Sequence, residues 1–581
     1  MSQFYDQASL VMVPSGYKNG KVYSQKPLST DGELTFTRAS NATRVGPDGL
    51  IHKVRKNLFT YSQQLDNAAW TKAVTTITAN AIVAPDGTTT ADKMADSDTT
   101  TAARYTYQAP ASSGTIYTSS GYFKKGEYNF VTLHAFGING AVFNLDTGVK
   151  VSQSGGVGSI ESVGNGFYRC SFAFTAGGTS VFFSQSPAGN ITYAGTTGSG
   201  IYAWGLQVET GDIATDYIPT TTAAVSVGPV SGLPRLDYSG GATCPSLKLE
   251  PQRTNLALFS ESFDNAAWIK FGSTSVTANT AVSPDGYTNA DTVSTSGGAV
   301  VRQVLTLSAS TVYTYSIFVK KTNYDLFGFQ TLINGAGVKS VFNLNTGVVT
   351  TQGSGHTASI VNYGNGFYRC IVTFNCGSST SNIFDLATDG SASTLREYYC
   401  YGAMAELGAY ASSYIPTLST SVTRVADAAS KTGVSGLLGT TQGTIFLDVD
   451  FKYNNGTGDT RIWNAWDAGN VRVLSIWARD NALRYQFYDA VLSINEEAAL
   501  PASEGTHKVA MAYNGTNLKV YMDGALVVNT TMSASANWTL NAYGSGYFWT
   551  NPTQSHITQL KQGLLFSTAL TPAQLAELTT L

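Results

Sequence analysis

Alternation dominates the pattern of hydrophobic and polar positions, and long helical periodicity is absent. Ile445, Leu447, Val449, Phe451 and Tyr453 alternate with Phe446, Asp448, Asp450 and Lys452, which predicts a half-buried strand. Tyr168, Cys170, Phe172 and Phe174 share one face of another strand, and Tyr128, Phe130 and Phe136 share a face of a third. Residues 507–513, 518–522 and 525–528 predict a three-strand meander, with type I′-compatible turns at Asn514-Gly515 and Asp523-Gly524. Asn19-Gly20 predicts a further hairpin, and residues 35–51 read as strand, turn, strand. One helix is expected, at the C-terminal end. Thr571 caps it, Pro572 takes its first position, and Gln574 completes a capping box before Leu575 and Leu578.

The chain carries one module twice. Asp66-Asn-Ala-Ala-Trp70 returns as Asp264-Asn-Ala-Ala-Trp268, an offset of 268 − 70 = 198 residues. The segments beginning at Asn57, Val142, Gly164 and Tyr217 return at Asn255, Val341, Gly364 and Tyr414. Solenoid repeats run to roughly 20–50 residues, so this period is that of a whole domain. Short strands separated by Pro85-Asp-Gly87 or Pro284-Asp-Gly286, and by Asn165-Gly166 or Asn365-Gly366, indicate a β-sandwich or jelly roll in each copy. The organisation expected is an N-terminal segment 1–56, module one 57–220, a proline-bearing linker 221–252, module two 253–420 and a different C-terminal domain 432–581. The fold class is all-β. Residues 1–56 look too short to fold alone and are expected to pack on module one or on a partner.

Composition narrows the function. Charged residues are 13% of the 581, about half the usual share. The polar surface is therefore Ser, Thr, Asn, Gln and Gly, as in β-rich proteins that work outside cells. A net charge of −3 leaves no electrostatic footprint for nucleic acid. Residues 1–56 are locally basic, with eight Lys/Arg against four Asp/Glu. No apolar run approaches the ~18 residues of a membrane span, and the N-terminus lacks the pattern of a signal peptide. Synthesis in a cytoplasm followed by release on lysis reconciles such a surface with no export signal.

Five Cys do not make a disulfide framework. Cys170 and Cys370 occupy the same place in each module and read as buried apolar thiols. Cys376 and Cys400 stand where module one has Ala176 and Ala203. Paired replacement of two small residues predicts that these two are neighbours, as free thiols or a late bond.

The segments "FTRASNATRVGPDGLI" (36–51), "PRLDY" (234–238), "LEPQRTNLALFSESFDNAAW" (249–268) and "SSYIPTLSTSVTRVADAA" (412–429) resemble a pattern of structural proteins of tailed bacteriophages. The duplicated modules resemble carbohydrate-binding jelly rolls. The C-terminal domain, through "HKVAMAYNGTNLKVYMDGALV" and "LLFSTALTPAQLAEL", resembles the concanavalin A/laminin G sandwich. Fold resemblance alone does not establish sugar binding.

Enzyme chemistry finds little support. Asp448 and Asp450 face one side of a strand, but concanavalin-like glycosidases align three acids, and the third place is Lys452. No two of His52, His134, His356, His507 and His556 stand at metal-ligand spacing, and no nucleophile elbow or phosphate loop is present. No cofactor and no metal are expected. A lectin-like site needs an aromatic ring against a sugar face. Five of the eight Trp lie in the last 150 residues, and Trp463, Trp466, Trp538 and Trp549 are the glycan-binding candidates, with core packing as the alternative.

The resemblance implies a virion structural protein, a head or tail fibre or surface decoration, that contacts host-surface glycans. A purely architectural component and a glycan depolymerase are the alternatives. Other virion proteins are expected to engage the N-terminal segment. A homo-oligomer is expected, a trimer by analogy with fibres, so that weak sites gain from multiplicity.

Overall fold

The computed structural model describes residues 2–387, 395–451, 460–469, 471–479, 482–500, 504–545 and 558–580. It is an all-β, multi-domain sandwich protein. Two units separate, Val54–Gly228 on one side and Met1–Lys53 together with Pro229–Leu581 on the other.

Two six-stranded sheets form module one. One has the order Gly156–Gly164, Phe167–Thr175, Ile116–Lys125, Gly200–Thr210, Ala91–Asp96, Thr75–Ile82. The other has the order Val149–Ser154, Ile138–Asn144, Phe130–Ala135, Val181–Ser186, Tyr105–Gln108, Thr71–Ala73. Phe59, Trp70, Phe123, Leu133, Phe172 and Phe183 fill the space between them.

Module two repeats that order. His356–Asn362, Phe367–Asn375, Val312–Lys321 and Arg396–Leu407 lead into Thr288–Thr306 from one side. Val348–Thr351, Ala336–Asn343, Leu326–Ile333 and Ser381–Leu386 lead into it from the other. The long strands Thr288–Thr306 and Ile269–Val282 each replace two shorter strands of module one. They run through both layers, so ten strands join as one bent sheet.

The motifs that revealed the duplication hold each module shut. Asn57 Nδ2 donates to the Leu206 and Ile218 carbonyls at 3.1 and 2.9 Å. Asn255 Nδ2 donates to those of Ala403 and Ile415 at 3.1 and 2.8 Å. Tyr217 and Tyr414 hydroxyls meet Ser62 and Ser260 Oγ, each at 2.6 Å. A two-stranded neck closes each module, Arg55–Asn57 with Val225–Val227 and Arg253–Asn255 with Val422–Arg424.

The third body corrects the expected organisation. Residues 1–53 do not stand apart from the chain's other elements but are built into the C-terminal sandwich. Leu10–Met12 pairs with the C-terminal strand Thr558–Phe566, and Leu34–Thr37 pairs with Ala428–Thr432. Linker strands Arg235–Asp237 and Ser246–Leu249 extend the same sheet as Thr558–Phe566. One sheet thus runs through Gln442–Phe451 and Gly505–Asn514, the other through Thr460–Trp466 and Arg472–Arg479. The core between them draws Leu10, Met12, Leu34 and Phe36 from the N-terminal segment and Leu247 and Leu249 from the linker.

The predicted meander is present as Gly505–Asn514, Asn517–Met522 and Ala525–Thr531. Asp523 and Gly524 both have positive φ, as type I′ requires. The first loop is shifted by one residue to Gly515-Thr516, where only Gly515 has positive φ, as in type II′. Helix Pro572–Thr579 has the expected capping box, and Ser2–Gln7 forms a second, unexpected helix. Gln3 and Gln7 of that helix hydrogen-bond Glu577 and Gln574, so the two ends of the chain are joined.

Five charged residues from the segments 36–51, 234–238, 249–268 and 412–429 converge in a buried ion network. Arg38 pairs with Asp427 at 3.1 Å, Arg235 with Glu250 at 2.6 Å and Arg424 with Glu250 at 2.9 Å, and Arg235 also pairs with Asp427. These side chains are essentially inaccessible. Burial opposes ionisation of Glu250, but Arg424, Arg235 and Lys248 outweigh it and hold the carboxyl well below its ordinary range.

Cys376 and Cys400 are not neighbours, which corrects the expected close pair. Cys400 pairs with Val319, whereas Cys376 follows Asn375, the partner of Val312. Seven residues of one strand, roughly 23 Å, separate those positions. All five cysteines are free, and Cys170, Cys370, Cys376 and Cys400 are buried. The two Ala-to-Cys exchanges fill separate gaps in one core.

Candidate functional site

Trp463, Trp466 and Trp538 do not offer an open ring face. Trp463 is 1% exposed, Trp466 7% and Trp538 4%. Trp463 packs against Tyr543 at 5.7 Å, and Trp538 against Tyr513 at 6.2 Å. Trp466 lies in a small cluster with Val473 and Ala542. A ring stacked on core side chains has no free face for a sugar. Trp463 and Trp538 fill the core between two large sheets, the ordinary fate of Trp. Trp549 lies outside the described residues.

The outer face of module one carries a cluster of partly open rings. On strand Tyr105–Gln108, Thr106 is buried, while Tyr105 and Tyr107 point outward and are half-buried. On the next strand Val181 and Phe183 enter the core and Phe182 points outward. His134 follows on the third strand between core residues Leu133 and Ala135. Register places Tyr107 opposite Phe182, and Phe182 opposite His134.

The rings touch. Phe182 lies 4.9 Å from Tyr107, 5.0 Å from Tyr105 and 4.8 Å from His134, with His134 stacked at 11°. Tyr105 and Tyr107 are 5.9 Å apart. Tyr105 stands edge-on to Phe182 at 75° and to Tyr107 at 68°, and Tyr107 is tilted 37° to Phe182, so the three partly open rings form an apolar cluster. His134 Nε2 meets Ser184 Oγ at 2.8 Å, and burial lowers its pKa to about 4, so the imidazole is neutral near pH 7.

The same row exists in module two with different chemistry. Arg302 pairs with Asp385 and Asp385 with Gln330, the register positions of Tyr107, Phe182 and His134. Arg302 and Asp385 form a two-point ion pair, Nε to Oδ1 at 2.5 Å and Nη2 to Oδ2 at 2.6 Å. The guanidinium also lies over the Phe271 ring, 4.7 Å from its centroid. These groups line an open pocket of about 370 Å³.

Sequence reasoning passed over both faces because it counted tryptophans. The two rows become comparable only through strand register. Inward positions keep their character, as Cys170/Cys370 and Trp70/Trp268 do, whereas the register-equivalent Tyr107/Arg302 and Phe182/Asp385 do not.

Asp448 is half-buried, and burial raises its pKa against the opposing pull of Lys561 and Lys508. The third position, Lys452, lies outside the described residues. Among the described residues no group of three or more His, Cys, Asp and Glu is placed to hold a metal ion, and no helix is long and apolar enough to cross a membrane.

No family model matches the chain, and no curated protein matches it significantly. Solved structures similar to parts of it include the Ruminococcus gnavus IT-sialidase CBM40 bound to alpha2,3 sialyllactose. That match has 13% identity and a TM-score of 0.22, over 26% of this chain and 97% of the other. The tandem CBM22-1–CBM22-2 domain of Paenibacillus barcinonensis Xyn10C matches at 9% identity and a TM-score of 0.21, over 60% of this chain and 97% of the other. Mouse laminin alpha1 domains LG4-5 match at 14% identity and a TM-score of 0.17, over 46% of this chain and 88% of the other. Identities and TM-scores this low transfer no function.

Proposed function

We propose that this chain is a non-catalytic surface component of a tailed-phage virion, a head or tail fibre or decoration, that contacts host-surface glycans. Contact runs through the outer face of module one. The observation that carries the glycan part is the Tyr105–Tyr107–Phe182 cluster, whose rings meet at 4.9 and 5.0 Å and remain partly open. A cluster of partly open aromatic rings beside polar side chains suits a neutral sugar, which presents one apolar face and a polar rim. The virion part is supported by the motif resemblance and by a surface built from Ser, Thr, Asn and Gly. Other virion proteins and further copies of the chain are its partners in this reading, and multiplicity compensates for weak single sites.

A second reading has its own support. Arg38, Arg235, Glu250, Arg424 and Asp427, all in the phage-like motifs, are consumed by the buried network. Those motifs therefore preserve architecture, as a purely structural component would need. A glycan array probed with the full chain separates the two. Binding to neutral glycans that Tyr107→Ala abolishes supports adhesion. Absence of binding to any glycan supports the architectural role. Virions labelled with an antibody against this chain test the location, and unlabelled particles would refute it.

A further inference from the structure

The turn Pro284-Asp-Gly286 of module two is covered, and its counterpart Pro85-Asp-Gly87 in module one is open. The cover is the hairpin of Arg44–Val45 with Ile51–His52. Ile51 donates its amide to the Pro284 carbonyl at 2.8 Å. Its buried side chain packs with Phe318, Tyr401 and Tyr414. Lys53 follows, its Nζ 2.6 Å from Glu261 and 2.7 Å from Asp285. Thr43 Oγ1 donates to the Tyr414 carbonyl at 2.6 Å. Leu50 lies over Gly286, where an added Cβ would stand 2.8 Å from Leu50 Cδ1.

Module one builds the same surface. Tyr122 faces Trp204 across its strands as Phe318 faces Tyr401, and Tyr217 corresponds to Tyr414 in the repeat. Trp204 lies 5.2 Å from Tyr122 and 4.9 Å from Tyr217, at 62° and 55°, and Tyr122 and Tyr217 are 6.2 Å apart at 80°. In module two the same three separations are 6.0, 5.7 and 6.0 Å, at 52°, 55° and 82°. The turn is also the same, with Gly87 N donating to the Ala84 carbonyl and Gly286 N to that of Ser283, each at 3.0 Å. The cover differs. Phe318, Tyr414 and Asp285 are buried, whereas Tyr122 and Tyr217 are half-buried and Asp86 is exposed. Beyond the chain neighbours of Gly87, no described atom lies within 4 Å of a Cβ built there.

The exchanges between the copies set the chemistry of an occupant. The three rings and the turn are kept, so an aliphatic side chain on an extended strand suits the face, with an amide to meet the Pro85 carbonyl. Covering partly open rings with such a side chain is favourable because it removes apolar surface from water. Gln63 stands in the place of Glu261, so one of the two carboxylates that hold Lys53 has no counterpart. The hairpin of this chain is engaged by module two, and that of a second copy is engaged in the same way.

We infer that the Tyr122–Trp204–Tyr217 face of module one docks a β-hairpin of a different protein, one that carries an aliphatic residue in the place of Ile51. This stands independently of glycan binding.

The probe is a fluorescein-labelled peptide of residues 43–54, closed through its ends to hold the hairpin and titrated into the full chain with anisotropy as the readout. Module two of the full chain already holds its own hairpin, so saturable binding is expected at module one. Tyr122→Ser, shown to be folded by its melting curve, should weaken binding about tenfold, as loss of an aromatic anchor does. Ile51→Asp in the peptide alone should abolish it. Gln63→Glu in the protein should tighten binding about two- to fivefold, the worth of one partly exposed ion pair, by giving Lys53 its second carboxylate. A peptide with Lys53→Gln should not show that gain. Absence of saturable binding overturns the inference, as does binding that the folded Tyr122→Ser protein retains in full or that Gln63→Glu leaves unchanged. Loss of neutral-glycan binding in Tyr122→Ser, without peptide binding by the wild type, would assign the face to a sugar instead.

Discussion

Arg38 and Asp427 are 389 positions apart in the chain and meet as a fully buried ion pair, Nη1 to Oδ1 at 3.1 Å. Arg38 also donates to the Pro229 and Val230 carbonyls at 2.9 and 2.8 Å. One guanidinium thus ties the N-terminal segment to the linker and to the exit of module two. Removing a single partner from a buried pair typically costs about 3–5 kcal/mol. Arg38→Met should therefore lower the urea midpoint of the C-terminal sandwich markedly, and deletion of residues 1–50 should leave it insoluble. A soluble, cooperatively folding deletion protein would refute this account of the N-terminal segment.

The necks make a second expectation. Arg55 is paired with Val227, so entry to and exit from module one lie roughly 5 Å apart between Cα atoms. The unit Val54–Gly228 has its own core. Expressed alone, residues 54–228 should unfold in one cooperative transition. The remainder, with Lys53 joined to Pro229 through a short glycine linker, should fold as well. Aggregation of either piece at concentrations where the full chain is soluble would contradict the division.

Much of this architecture was legible because its signals are local. Period-2 alternation, Asn-Gly turns and the Thr571 capping box act within a few residues, and the repeats report themselves. Leu10–Met12 was not legible in the same way. Nothing in three apolar residues specifies that their partners are Gly563, Leu564 and Leu565. The site failed for a different reason. Trp is the strongest stacking residue and also among the largest apolar ones, and here Trp463 and Trp538 went to the core. In Val181-Phe182-Phe183 the identity of the outward ring depends on strand phase, which only the pairing with Leu133 and His134 fixes.

Adhesion by the ring cluster has its own measurable consequence. Truncating an aromatic anchor in a binding site costs on the order of 1–2 kcal/mol, which is about five- to thirtyfold in Kd. Tyr107→Ala and Phe182→Ala should each reduce affinity for a neutral array ligand by that factor, with little change in melting temperature for Tyr107→Ala. Trp538→Phe, in the C-terminal core, should lower stability and leave affinity alone. Loss of glycan affinity in Trp538→Phe with retention in Tyr107→Ala would return the site to the C-terminal domain.

Acid sensitivity follows from the two buried imidazoles. Burial lowers His134 and His356 each to about 4, against 6.5 for the free side chain. The folded-state value lies below the unfolded one. Above pH 6.5 neither state binds the proton, and the neutral ring carries no penalty. As pH falls from 6.5 to about 4 the unfolded chain takes up protons that the folded chain refuses, so stability declines through that window. A shift of this size corresponds to about 3 kcal/mol for a fully buried ring. Urea midpoints of the module-one transition should therefore fall between pH 7 and pH 4.5. His134→Gln, which installs the residue that module two carries at the same register position, should flatten the decline. Subtracting the variant's pH profile from that of the wild type removes the contribution of carboxylates that also titrate near pH 4. A difference profile with no slope between pH 6.5 and 4.5 would show that the imidazole of His134 is not held neutral by the fold.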